Sequence, residues 1–84
     1  MAQLNNAEFA RLKERIARDK RKDDVVEAAR RANIKTAAFY RAMKYTDIEK
    51  KPLTKGEMGI LYMMVEILDE REDMNKRLKA AAVC

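Results

Sequence analysis

Histidine is absent from the 84-residue sequence and cysteine occurs once, and both shortages narrow the chemistry open to the chain. Histidine is the commonest general base and the commonest metal ligand, so the usual residue for acid-base catalysis or metal binding is missing. The one cysteine, Cys84, is the last residue, and a single thiol forms neither an intrachain disulfide nor a zinc site. We therefore expect a non-enzyme from a reducing compartment, without metal or cofactor.

Glycine and proline are also scarce, with two residues and one residue respectively, and strong helix formers dominate. No β-type alternation, internal repeat or flexible linker is present. The sequence predicts an all-α domain over residues 1–84, with four or five helices and a long C-terminal helix. The longest apolar run, residues 60–65, is far shorter than the ~20 residues of a membrane span, and we expect no signal peptide.

Positive charge is concentrated in the N-terminal half. The chain carries 19 basic and 14 acidic residues, for a net charge of +5. Residues 1–22 hold seven basic and three acidic residues, residues 23–45 five and three, and residues 46–84 seven and eight. A basic surface favours partners with negative surfaces, of which nucleic acid is the commonest. The alternative is a plain solubility charge, since small domains often carry ~2–8 charges of one sign.

The first helix is predicted to begin at an asparagine cap, Asn5 or Asn6, and to bury a stripe formed by Phe9, Leu12 and Ile16. It ends near the charged run Arg18–Lys22.

The second helix is predicted to be capped by Asp23 or Asp24. Its inward positions are Val25 or Val26, Ala28, Ala29 and Ala32.

Residues 25–44 form the pattern of a helix-turn-helix, in which the second helix enters a DNA major groove. Asn33 tolerates the left-handed backbone that the turn requires, and Thr36 is expected to cap the following helix. Ile34, Phe39 and Met43 then face the core. The positions left for DNA are Lys35, Thr36, Ala37, Tyr40, Arg41 and Lys44. Ordinary amphipathic helices joined by a turn are the alternative interpretation, and Tyr40 could equally extend the core.

The run N-I-K-T-A-A-F-Y-R-A-M, residues 33–43, is similar to the G-V-S-x-x-T-[FL]-Y-R/K stretch of helix-turn-helix regulators. It resembles tetracycline-repressor-type proteins and the small phage-repressor-like and antitoxin-type proteins of the Cro family. Asn33 stands where glycine is usual, and Lys35 stands where serine is usual. The matching positions are Ala29, Ile34, Phe39, Tyr40 and Arg41.

The resemblance covers about 20 of the 84 residues. It implies sequence-specific binding of double-stranded DNA and further helices after the recognition helix. It also implies a bacterial or phage source and, with it, a cytoplasmic location. The chain is too short for the ligand domain of a tetracycline-repressor-type protein, so no small-molecule inducer is implied.

The last helix is predicted over residues 55–79, behind a capping box formed by Thr54 and Glu57. Its first half is apolar on nearly every side, and a helix of this kind must be covered on more than one side. One interpretation is plain core; the other is a homodimer seam. The residues assigned to that seam are Ile60, Met64, Ile67 and Met74.

The sequence therefore favours a homodimeric transcriptional regulator, more readily a repressor than an activator, because steric exclusion needs no further domain. The alternative is a helical protein-interaction module (an adaptor, an antitoxin-like protein or a phage structural protein) that binds a partner through the apolar C-terminal helix. A third interpretation is non-specific nucleic-acid packaging by the basic run alone.

Overall fold

The computed structural model describes residues 4–83, and within them four α-helices form with no β-strand. The prediction of an all-α domain with a long C-terminal helix is confirmed, with four helices in this range. Cys84 lies outside the described residues. The helices are α1 (Asn6–Asp19), α2 (Asp24–Ala32), α3 (Ala37–Lys44) and α4 (Lys55–Val83).

A complete capping box starts α1. Asn5 is the N-cap: its side-chain oxygen accepts from the amide of Glu8 at 2.8 Å, and the Glu8 carboxylate accepts from the Asn5 amide at 3.0 Å. These bonds satisfy two backbone donors that a helix start leaves unpaired. Phe9 and Ile16 are buried while Leu12 is half-buried, so the predicted stripe faces inward with one edge open.

The predicted side-chain cap of α2 is wrong. Asp23 occupies the N-cap position but makes no capping hydrogen bond. Asp24 instead accepts from the amide of Arg21 at 2.8 Å and from the Arg71 guanidinium at 2.6 Å. Because Asp24 is buried, the carboxylate is committed to a contact with α4, a contact that local sequence cannot indicate.

A left-handed residue ends α2, as predicted. Asn33 has φ 57° and ψ 46°, and no other non-glycine residue in the described chain has a positive φ. The amide of Asn33 donates to the carbonyl of Arg30, and the amide of Ile34 donates to that of Ala29 at 3.0 Å. This pair of bonds is a Schellman motif. Asn33 thereby reverses the chain and sends Ile34 toward Gly56 at the start of α4.

The predicted capping box at α4 is confirmed. The Thr54 amide donates to Glu57 at 2.8 Å, and the Glu57 amide donates to the Thr54 hydroxyl at 3.2 Å. The helix continues for 29 residues to Val83, beyond the predicted end at Lys79.

The core forms around the first half of α4, against which α1, α2 and α3 all pack. Of the predicted inward alanines of α2, Ala28 and Ala29 are buried and Ala32 is half-buried. The helix packs mainly against α4. Val25 is buried and Val26 is exposed, which decides between the two predicted positions.

The predicted dimer seam is wrong for three of its four residues. Ile60, Met64 and Ile67 are buried within the protomer, so they have no surface to offer a second chain. Only Met74 is exposed. A seven-residue repeat describes which side of a helix is apolar, and here α2 and α3 of the same chain cover that side.

Candidate nucleic-acid interface

The outer face of α3 carries the residues predicted to contact DNA. Five of these six residues are exposed, and Thr36 is half-buried. Thr36 occupies the N-cap position but makes no side-chain capping bond, so its predicted capping role is wrong. The inner face of the helix is buried through Ala38, Phe39 and Ala42. The outer face consists of Lys35, Thr36, Ala37, Tyr40, Arg41 and Lys44.

Tyr40 lies at the surface, with 55 % of its area exposed. Its ring meets the buried Phe39 ring edge to face, with the centroids 5.3 Å apart. That contact fixes the tyrosine ring over the core while leaving much of the side chain in solvent. Of the two sequence interpretations of Tyr40, the structure favours a surface residue, one available for a phosphate or base contact.

Arg41 lies beside a buried carboxylate. Its Nε atom is 3.5 Å from Oε2 of Glu57, while its side chain is 65 % exposed. Burial by itself raises the pKa of the Glu57 carboxyl, but the Thr54 amide, the Tyr45 hydroxyl and Arg41 outweigh it, and the pKa lies below its ordinary value. Glu57 is therefore a charged group held beneath the end of α3.

A well-anchored loop, residues 46–53, lies next to the end of α3. The Asn6 side chain donates to Asp47 at 3.0 Å and accepts from the amide of Ile48 at 2.9 Å. Asp47 also accepts from the amides of Glu49 and Lys50, which closes the turn. These bonds fix the backbone that carries Lys50 and Lys51.

The loop and helix together form a concave surface, here called the basic corner, made by Arg41, Lys44, Lys50 and Lys51. Two carboxylates also line it, Asp47 and Glu57, and both already accept hydrogen bonds from the protein. Sequence reasoning missed Lys50 and Lys51. The loop that carries them follows α3 directly, and the bonds from Asn6 tie it to the start of α1.

Ion pairs neutralise much of the basic charge elsewhere. Arg15 binds Asp69 at 2.6 Å, and Arg31 binds Glu70 at 2.9 Å. Arg31 also pairs with Glu27 at 2.9 Å. In contrast, no ion pair within residues 4–83 involves any lysine of the outer face or the basic corner: Lys35, Lys44, Lys50 and Lys51. These four lysines therefore carry unneutralised positive charge at α3 and the loop after it, as Lys13, Lys20, Lys22, Lys55 and Lys79 do elsewhere in the described chain.

An apolar groove of about 740 Å³ lies between α1 and α4. Leu12, Met58, Tyr62 and Val65 line it, and Tyr62 is 66 % exposed. Val65 is half-buried because it lines this groove. The groove shares no lining residue with the basic corner, so the molecule presents two separate surfaces of different chemistry.

Across residues 4–83, no cluster of carboxylates could hold a metal ion, and no helix combines the length and apolar character needed to cross a membrane. The fold and the candidate interface define a small all-α protein with an exposed basic helix face. Comparison with protein-family models, curated proteins and solved structures finds no match.

Proposed function

We propose that the protein is a sequence-specific DNA-binding regulator of the helix-turn-helix type, more readily a repressor than an activator. The observation that carries the proposal is the outer face of α3, where unpaired lysines, Arg41 and Tyr40 stand exposed on a helix whose opposite side is locked in the core. In this arrangement α3 is the recognition helix, and Arg41 reads a base edge in the major groove.

The basic corner gives the recognition helix a phosphate contact at its C-terminal end. Lys44, Lys50 and Lys51 lie beside Arg41 on a backbone that Asn6 holds in place. Phosphate contacts position a protein on the duplex, whereas contacts to base edges specify sequence. Ala37 and Thr36, at the N-terminal end of α3, are suited to a thymine methyl group and a phosphate or base respectively.

The proposed regulator acts as a homodimer, and the surface that supports association is the apolar groove. The occupant that we favour for this groove is a second copy of the chain. Because the groove lies apart from the basic corner, two copies joined through the groove keep both recognition helices free. A pair of recognition helices roughly 34 Å apart would enter successive major grooves of a palindromic site. Met74, the exposed residue of the originally predicted seam, lies farther along α4.

Affinity for a defined duplex, measured across salt concentrations, tests the DNA-binding proposal. Each lysine-phosphate contact is expected to make log affinity fall with log salt by a slope of about 0.9. Arg41→Ala is expected to weaken specific binding by ~1–3 kcal/mol, and Lys44→Ala to weaken binding to all sequences and lower the salt slope by ~1. If both variants bind as the wild type does, α3 is not the recognition helix.

A helical protein-interaction module is the second candidate function, and the apolar groove is the observation that favours it. A partner protein held there by apolar contacts would respond weakly to salt, which separates it from DNA binding. Non-specific nucleic-acid packaging predicts the same salt slope as a regulator. It differs in predicting no preference among DNA sequences.

A further inference from the structure

Glu57 combines deep burial with a charge, which is unusual for a surface helix start. The residue is 1 % exposed, yet the pKa of its carboxyl lies below its ordinary value. The capping box satisfies the carboxylate through the Thr54 amide at 2.8 Å. A neutral glutamine would serve the cap equally well, because an amide oxygen also accepts from Thr54. The helix N-terminus itself favours a negative charge at this position, and a paired cation is a second explanation for it.

Arg41 supplies that explanation. It is the cation that pairs with Glu57 in the described chain, through its Nε atom at 3.5 Å. A guanidinium has five N–H donors in a rigid plane, of which Nε carries one and the two Nη atoms carry four. No hydrogen bond within residues 4–83 uses the Nη atoms of Arg41, and the side chain is 65 % exposed. The Nε edge of the guanidinium thus lies beside Glu57 as an ion pair, while most of the side chain is exposed.

We propose that Glu57 is a positioning residue for base reading, which holds the Nε edge of Arg41 so that its outer donors are preset for the O6 and N7 acceptors of guanine. This inference rests on the proposed function. An arginine that is already oriented loses less rotational freedom on binding, so more of its interaction energy appears as affinity for the correct base.

Lys44, the next basic residue of the outer face, is suited to a different contact from that of Arg41. Lys44, one turn farther along the outer face, makes no ion pair in the described chain and presents a single flexible ammonium group. Lys44 suits a phosphate, whereas the buttressed Arg41 suits a planar base edge. We therefore expect one G·C pair in each half-site to depend on Arg41 and Glu57 together.

The test measures base discrimination by the full chain on DNA obtained by selection from a random pool. Affinity for the selected duplex is compared with affinity for duplexes in which one G·C pair is changed to A·T. For the wild type, one position should show roughly tenfold or greater discrimination, and Arg41→Ala should abolish it. Glu57→Gln, which keeps the capping oxygen and removes the charge, should reduce that ratio by about 2- to 10-fold.

Thr54→Ala is the matched control, because it removes the hydroxyl of the same capping box and leaves the Glu57 charge. It should lower the thermal midpoint and leave the discrimination ratio unchanged. If Glu57→Gln keeps the wild-type ratio while Arg41→Ala loses it, the positioning role is wrong and the recognition helix stands. If selection yields no preferred sequence, the proposed function fails and the base-reading role fails with it.

A measurement on the free protein tests the Arg41–Glu57 contact without DNA. Proton exchange at the Nε–H groups of arginine can be followed by NMR, with Arg77 as reference because its Nε pairs with Asp73 on an exposed helix face at 3.1 Å. The Arg41 Nε–H should exchange several-fold more slowly than that of Arg77, and Glu57→Gln should remove the difference. Equal exchange in the wild type would overturn the proposal.

Discussion

Arg71 of α4 donates to the buried carboxylate of Asp24, with 2.6 Å between Nη2 and Oδ1. The same guanidinium donates through Nη1 to the carbonyl of Asp19 at 3.1 Å. One side chain therefore joins the end of α1 and the start of α2 to the long helix. Because α3 packs on that helix as well, the contact helps to fix the platform on which the outer face of α3 is presented.

The stability of the fold should decrease at acidic pH because of Asp24. Burial raises the pKa of this carboxyl, but the hydrogen bonds from Arg71 and the Arg21 amide outweigh it and hold the pKa below its ordinary value. A lowered folded-state pKa contributes stability above the ordinary carboxyl pKa, and this contribution is lost as pH falls through the folded value. Asp24→Asn should lower the free energy of unfolding by ~1.5–3 kcal/mol near neutral pH, as measured by urea denaturation.

The difference between Asp24→Asn and the wild type should begin to shrink near about pH 4, where the carboxyl of the unfolded chain takes up its proton, and should be lost below the lowered folded-state pKa, where the folded carboxyl is protonated as well. Asp73→Asn is the matched control, since Asp73 pairs with Arg77 on an exposed helix face. Surface pairs of this kind contribute little, so the control should follow the wild type. A constant difference at all pH values would contradict the linkage.

The effect of replacing Asn33 on the free energy of unfolding should depend only on the backbone conformation of the turn between α2 and α3. The left-handed backbone at φ 57° is costly for a residue with an ordinary Cβ, and asparagine and glycine tolerate it. Asn33→Ala should lower the free energy of unfolding by about 1 kcal/mol, whereas Asn33→Gly should retain the wild-type value or exceed it. Equal destabilisation by both variants would point to a side-chain role.

Local signals were predictable from the sequence, and long-range ones were not. Asn5, Asn33 and Thr54 act on backbone groups within a few residues, so their roles follow from chain position. The partners of Asp24 and Asn6 lie more than forty residues away, and only the folded chain brings them together.

The same distinction explains the error in the dimer seam. The pattern of apolar residues along α4 marks Ile60 as needing cover, but it does not state whether the cover is the same chain or a second one. The outer face of α3 was predictable because its residues are close in sequence. The basic corner was not predictable, because it combines residues of that helix with residues of the loop after it.

Lys50 and Lys51 should contribute to DNA affinity without contributing to specificity. Replacing both with alanine removes two cations from the basic corner and should reduce the salt slope by roughly 1.8. The ratio between specific and non-specific binding should change little. Lys76→Ala with Lys79→Ala is the matched control, because it removes the same charge from the far end of α4. An equal effect of the two pairs would indicate a general charge effect rather than a local contact.

Association should depend on Tyr62 at the apolar groove. Tyr62→Glu places a charge in the groove, and because Tyr62 is 66 % exposed the change should leave the fold intact. Sedimentation equilibrium should show a dimer for the wild type at micromolar concentration and a monomer for the variant. Met74→Glu, at an exposed position farther along α4, is the control and should remain dimeric. A monomeric wild type would contradict the proposed homodimer.

Selection of bound DNA from a random pool tests the central claim most directly. The proposed regulator should enrich a palindromic sequence with half-sites about 10 base pairs apart, because two symmetric recognition helices meet successive major grooves. Arg41→Ala should relax the enriched preference at one position of each half-site. No enrichment of any sequence by the wild-type chain would contradict the account.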